Sequence, residues 1–418
     1  MAQRFSSTEN VDFSGAFAVK FIPYGHQSIT QEDIEAVVDV LKSDYLTQGP
    51  AVEKFESDFS KVVKAPYAIA CANGTAGLHL AVLAAKIGAG DRVLTTPITF
   101  AASANCAKYV GSDVDFADID PKYITLSPVA AEEALFEAQK NGKPFKALIT
   151  VDLGGHPCNM TEFARLKEKY NLIWIQDACH ALGAAWTDSD GRKYKIGEWA
   201  VPDMTVFSFH PVKHITTAEG GMITTHDKKY AEHLKILRTH GISKDPNSFT
   251  RKDEAFDLDG KMNPWYYEVQ ELGFNYRLTD MQAALGSSQL KRLDASIKRR
   301  NQIVAFYRGS LRNLDSIVFP SVAPGVLHAH HLAIVRIDFE RQKISRAQAM
   351  HVLHDRSVGT QVHYIPVPLM PLYGNGKIMH HLPNAMRYYR EALSLPCFPT
   401  LTDADLDLIT SSLKDLLA

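Results

Sequence analysis

Between residues 68 and 225 the chain alternates short apolar runs with longer helix-like stretches, and nothing else in the sequence restricts the fold as much. AIACAN, RVLTTPIT, VDFADID, ALITVDL, LIWIQDA, MTVFSF and GGMITT read as short buried strands. GTAGLHLAVLAAKIG and FAASANCAKYVG read as helices between them. Strands separated by helices cannot form hairpins with each other, so the pattern predicts an α/β fold: a mostly parallel, mixed sheet with helices on both faces.

The flanks are read from capping and periodicity. Residues 1–20 form an N-terminal extension, and order is expected to begin at PYGHQSIT. Thr30 is a plausible N-cap with Asp33 three residues on, and Ile34, Val37, Val38 and Leu41 follow at helical spacing. Residues 244–271 are polar, then aromatic, and too long for an ordinary connection, so they read as a functional or mobile loop. One long helix is predicted from Thr279 through GSL at 309–311, and LAIVRIDF and TQVHYIPV read as strands of a smaller α/β domain. The expected division is 1–20 extension, 21–285 large domain including the 244–271 loop, and 286–418 long helix and small C-terminal domain.

Composition excludes several classes. A net charge of -2 offers no electrostatic reason for binding nucleic acid or an anionic membrane. The five cysteines are odd in number and widely spaced, with no CxxC, and read as free thiols of a reducing compartment. The start, MAQRFSSTENVDFSGAF, has no apolar core of signal-peptide length, and the longest apolar runs are too short or too interrupted to span a bilayer, which predicts a cytoplasmic protein.

Four segments carry candidate chemistry. In NGTAG (73–77), small residues between a strand and a helix let backbone N–H groups reach an anion, although the segment also reads as a plain turn and matches neither a P-loop nor GxGxxG. In IQDACHALG (175–183), Asp177 ends an apolar strand, where a carboxylate is costly unless paired. A pyridinium nitrogen would satisfy it and His180 could reach the same ligand; a capping Asp and a structural His are the alternative. In FSFHPVKHITTAEGG (207–221), Lys213 lies in a turn between two strands, with Ser208 before it as a natural phosphate ligand. A lone lysine in a turn is ordinarily solvated, so only the whole segment is informative; in a partly dry site it becomes a nucleophile. In GFNYRLTDMQAALG (273–286), Asn275 and Arg277 precede a helix capped by Thr279 and are possible anion ligands.

Together, DACHALG, SFHPVKHITTAEGG and GFNYRLTDMQAALG resemble the DegT/StrS-type nucleotide-sugar aminotransferases, from about Pro23 to the C-terminus. The resemblance implies the aspartate-aminotransferase fold (PLP-dependent transferase fold type I) and pyridoxal 5'-phosphate (PLP) as cofactor. By it, Lys213 matches the Schiff-base lysine and Asp177 the partner of the pyridinium nitrogen. His180 flanks the cofactor ring, and Phe100 stacks on it. Gly74, Thr75, Ala76 and Ser208 match phosphate ligands. Asn275 matches a phosphate ligand donated by a neighbouring subunit, implying a homodimer with shared active sites. Some members carry histidine in place of the lysine and are dehydratases; Lys213 disfavours that reading. IPYGHQSITQEDIEAVVDVLKSDYLTQGP, TQVHYIPV and LSLPCFPTL bring the chain nearest the pseudaminic acid branch, whose substrates are L-glutamate and a UDP-linked 4-keto-6-deoxy sugar. Other nucleotide-sugar amination, GDP-perosamine or dTDP-amino-sugar synthesis, stands as the alternative.

Two readings of other kinds compete. A PLP-binding protein without catalysis is opposed by the intact Lys213 and Asp177. A metalloenzyme would draw on the 17 histidines, with His328, His330 and His331 first and His380 with His381 next, but neither group has a metal-ligand pattern such as HExxH, so no metal is expected.

Overall fold

The structure is a computed structural model that describes residues 20–374 and 381–417; residues 1–19, which make up nearly all of the expected extension, and His380 lie outside them. The strands of the main sheet are β1 (Tyr67–Cys71), β2 (Arg92–Thr95), β3 (Asp113–Phe116), β4 (Ala147–Val151) and β5 (Ile173–Asp177). After a small antiparallel pair, β6 (Ala185–Thr187) and β7 (Lys193–Lys195), come β8 (Met204–Ser208) and β9 (Gly221–Thr225). Their order is β1-β9-β8-β5-β4-β2-β3. The β3/β2, β2/β4, β4/β5 and β5/β8 pairs are parallel, and β9 runs against both of its neighbours.

The side-chain alternation of the strands builds two cores at once. Leu94, Leu148, Trp174 and Phe207 face one core, shared with Phe55, Phe59 and Phe163. Their neighbours Val93, Ile149, Ile175 and Val206 face the other, shared with Leu78, Val82 and Leu234. The central strands therefore read as continuous apolar runs because they are covered on both faces. The edge strand β3 departs from the expectation of burial: none of its residues is buried, since it has a strand neighbour on one side only.

The reversal at β9 places the functional turn. Ser208 pairs with Gly221 at the end of the antiparallel β8/β9 ladder, so residues 209–220 return directly at the carboxyl edge without a crossover helix.

A further core surrounds β12 (Ile317–Val318), β13 (Ala333–Ile337) and β14 (Ala392–Leu395), in which Val335, Ile337, Leu393 and Leu395 pack against Ile303, Tyr307, Ile409 and Leu413. Two sequence expectations are corrected, and a third stretch, the 244–271 loop, is given its local structure. The long helix from Thr279 is two helices, Asp280–Leu290 and Leu293–Ser310, broken at Arg292, whose guanidinium pairs with the buried Asp33 beside Gln289 Nε2 at 2.6 Å. TQVHYIPV is not a strand: only Gln361 bridges to Ser394, and two prolines, Pro366 and Pro368, remove ladder donors just beyond. The 244–271 stretch is not without structure. It holds a helix, Lys252–Ala255, and is closed by pairing of β10 (Ile242–Ser243) with β11 (Glu268–Val269). The Glu268 carboxylate clasps it by accepting from the Thr250 N–H at 2.8 Å, the Arg251 N–H at 2.8 Å and the Tyr266 hydroxyl at 2.9 Å.

Candidate active site

The segments following β1, β2, β5 and β8 converge at the carboxyl ends of parallel strands, the usual ligand edge of an α/β sheet. Asp177 is the last residue of β5 and is 6% exposed. Its Oδ2 accepts the Ser103 hydroxyl at 2.6 Å and its Oδ1 accepts the Cys179 N–H at 3.1 Å. Because the Ser103 proton goes to Asp177, the Thr99 hydroxyl donates to Ser103, at 2.7 Å. Among the described residues Asp177 makes no ion pair. A buried carboxylate with two donors and spare lone pairs is best satisfied by a further cationic donor, which is what a protonated ring nitrogen supplies.

Lys213 lies in the turn between β8 and β9, its N–H donating to the His210 carbonyl at 2.9 Å. Burial lowers its amine to about 8, against the raising pull of Cys179 and Asp177, and the Arg300 guanidinium lowers it further. A lysine poised there has a substantial neutral fraction near neutral pH and so can act as nucleophile and base.

His180 is buried and held at both ring nitrogens. Its Nδ1 accepts the Gly154 N–H at 3.2 Å, and its Nε2 lies 3.2 Å from the Tyr364 hydroxyl. Burial, with Lys213, His363 and His214 adding to it, keeps the imidazole neutral by depressing its pKa well below the usual range. Gly155 must be glycine here: its φ is +99°, and a Cβ would stand 2.9 Å from the His180 carbonyl oxygen.

An anion cup lies beside these groups. The helix Gly74–Ala84 starts at Asn73, whose side chain accepts the Ala76 N–H at 2.8 Å. The first-turn N–H groups of Gly74 and Thr75 precede that bond and suit a phosphate. Ala76 was expected to share this role, but its N–H is already engaged by Asn73, leaving it a small buried residue of the cup. A Cβ on Gly74 would come within 3.0 Å of Ser208 Cβ and 3.1 Å of Cys179 Sγ, so the close approach of helix, Ser208 and the Asp177 segment requires glycine.

Phe100 is 59% exposed, with its ring 6.1 Å from that of Tyr364, and offers an open aromatic face. The structure therefore brings together Gly74, Thr75, Phe100, Asp177, His180, Ser208 and Lys213. It does not bring Asn275 to them: this residue is exposed, bridged through its backbone to Thr239, and among the described residues no hydrogen bond joins it to the cluster.

Sequence reasoning missed Ser103, Thr99 and Tyr364. Ser103 carried one signal, a polar residue on the buried side of the helix Ala102–Tyr109. Tyr364 carried none, since it reaches His180 across the fold from a segment read as a strand. Of the histidines weighed as metal ligands, His328 and His330 stack with ring centroids 3.7 Å apart, and His331 packs 4.4 Å from His180. The residues present fit PLP: a carboxylate lacking a cation, a lysine lowered toward neutrality, a glycine-lined phosphate cup and an exposed aromatic face occupy one edge.

Comparison with known proteins points the same way. The chain is 35% identical to the spore coat polysaccharide biosynthesis protein SpsC of Bacillus subtilis, over 95% of this chain and 97% of that one. It is 34% identical to the UDP-4-amino-4,6-dideoxy-N-acetyl-beta-L-altrosamine transaminase of Campylobacter jejuni, with the same coverage of 95% and 97%. Helicobacter pylori PseC, described as an aminotransferase involved in the biosynthesis of pseudoaminic acid, superposes with a TM-score of 0.83 at 27% identity over 95% of this chain and 99% of that one. A putative sugar aminotransferase of Streptococcus pneumoniae, Spr1654, solved in PLP and PMP forms, matches its PLP form with a TM-score of 0.81 at 26% identity, covering 95% of this chain and 98% of that one. The model of the DegT/DnrJ/EryC1/StrS aminotransferase family matches residues 27–414, and the chain belongs to that family of PLP-dependent sugar aminotransferases, with the aspartate-aminotransferase fold.

Proposed function

We propose that this aminotransferase moves an amino group from L-glutamate to a nucleotide-linked 4-keto-6-deoxy sugar, UDP-2-acetamido-2,6-dideoxy-β-L-arabino-hex-4-ulose, in surface-glycan synthesis, as a cytoplasmic homodimer with shared active sites. The observation that carries the chemistry is the buried, ion-pair-free Asp177 beside an amine lowered to about 8 on Lys213. The choice of sugar is supported by the 34% identity to the altrosamine transaminase. The 35% identity to SpsC supports a second reading, amination of another nucleotide sugar for a surface polysaccharide.

PLP, when bound, supplies an aldehyde that exchanges for an amino group and a ring that absorbs negative charge. The chain's own residues do the rest. The N–H groups of Gly74 and Thr75, the Ser208 hydroxyl and, from a second subunit, Asn275 hold the phosphate. Asp177 favours the protonated ring nitrogen, and Ser103 with Thr99 fixes the carboxylate that does so. Phe100 would cover one face of the bound ring, and His180 would stand beside it. Lys213 anchors the cofactor, and its Nζ then takes a proton from the α-carbon of the amino donor and gives it up again. Donor and sugar use one site in turn, so the kinetics are ping-pong.

The test is a screen of UDP-, GDP- and dTDP-linked keto sugars with L-glutamate and the purified protein. Amino-sugar and 2-oxoglutarate formation is expected with the UDP-linked 4-keto sugar. Turnover confined to GDP- or dTDP-linked substrates would contradict the proposed substrate and leave the family activity standing.

A further inference from the structure

The hydrogen bonds around His180 leave one proton without an acceptor. The Gly154 N–H donates to His180 Nδ1, so that nitrogen carries no hydrogen. The imidazole is neutral, which puts its hydrogen on Nε2. Nε2 therefore donates to the Tyr364 oxygen, 3.2 Å away. Tyr364 must in turn direct its own O–H elsewhere, and among the described residues no other group stands within hydrogen-bond distance of it. Tyr364 is half-buried between the buried His180 ring, 6.0 Å away and nearly parallel, and the exposed Phe100 ring, 6.1 Å away. A donor whose oxygen is fixed by an acceptor bond, on a ring set between His180 and Phe100, is a preorganised group.

We propose that Tyr364 is a further substrate-contacting residue, whose hydroxyl, oriented by the Gly154–His180 chain, donates its hydrogen to the carbonyl oxygen of the keto sugar. The inference rests on the sugar-amination reading above and extends it to a named residue. Attack on a ketone moves negative charge onto its oxygen, and a donor aimed at that oxygen stabilises the change. Burial, first, and the nearby Asp177 carboxylate hold the Tyr364 phenol well above its ordinary value, so it stays a neutral donor. The proposed acceptor is the ketone oxygen of the sugar, so Tyr364 acts in the sugar half-reaction.

Tyr364→Phe removes the hydroxyl and keeps the ring. The two half-reactions are followed separately by absorbance: PLP form with L-glutamate, and PMP form with keto sugar. The donor half-reaction is expected to stay within about threefold of wild type, with an unchanged cofactor spectrum, and the sugar half-reaction to slow on the order of 10²-fold. Equal slowing of both halves would make Tyr364 only a support for His180, and no slowing of either would remove it from the site; both results overturn the proposal. Should wild type refuse the UDP-linked 4-keto sugar, the substrate reading fails by itself, and the same two rates are compared with whichever keto sugar wild type accepts.

Discussion

At the carboxyl edge of the sheet, Asp177 is 6% exposed and both its oxygens are engaged by Ser103 and Cys179. Between 45 and 59 residues beyond Lys213 the chain behaves in the opposite way: Leu258, Trp265 and Leu272 are 107%, 73% and 82% exposed. The first region is finished by its own chain, except for the cation that the Asp177 carboxylate lacks. The second is internally clasped through Glu268 yet presents apolar side chains and Asn275 outward. In the proposed homodimer this exposed apolar surface would serve as a contact face, close in the chain to Asn275, the residue proposed to reach a neighbouring subunit's phosphate cup. On the proposed function, one part of the site is built within a chain and the other, through Asn275, is proposed to be built between chains.

The sharpest way to break this comparison is subunit mixing. Lys213→Ala and Asn275→Ala proteins are each expected to be inactive, with a loss on the order of 10⁴-fold or more for the lysine variant. After exchange of subunits, one site of each heterodimer carries both native residues, and activity should return in part. No recovery after verified exchange would mean that a single chain builds the whole site.

Within the chain-built part, Asp177→Asn keeps size and removes charge. Single-turnover conversion of PLP to PMP by saturating glutamate should slow on the order of 10² to 10³-fold, with cofactor still bound. A rate near that of wild type would reduce Asp177 to a cap on the Cys179 N–H.

A smaller effect follows from the lowered amine of Lys213. Its conjugate acid is inert as a nucleophile, so covalent uptake of PLP by cofactor-free protein should fall about tenfold per pH unit below pH 8 and level off above it. A midpoint near the ordinary lysine value of about 10.4 would show that the site does not desolvate the amine.

Much of this was legible in the sequence, and the reason is local. Apart from the exposed edge strand β3, the main strands announce themselves because strands buried on both faces are largely apolar, and Asp177, His180 and Lys213 lie in contiguous segments at strand ends. What escaped is nonlocal. The reversal of β9 has no signature, since GMITT reads the same in either direction of pairing. The break at Arg292 depends on its ion pair with Asp33, far back in the chain. Tyr364 reaches His180 only after the fold has closed, and its segment passed for a strand because VHY is apolar and β-prone.

The most direct test of the central claim is chemical trapping. The holoprotein is expected to show imine absorbance that borohydride abolishes, and peptide mapping should find the reduced pyridoxyl group on Lys213. A pyridoxyl group on any other lysine, with Lys213 unmodified, would contradict the assignment of this edge of the sheet as the active site.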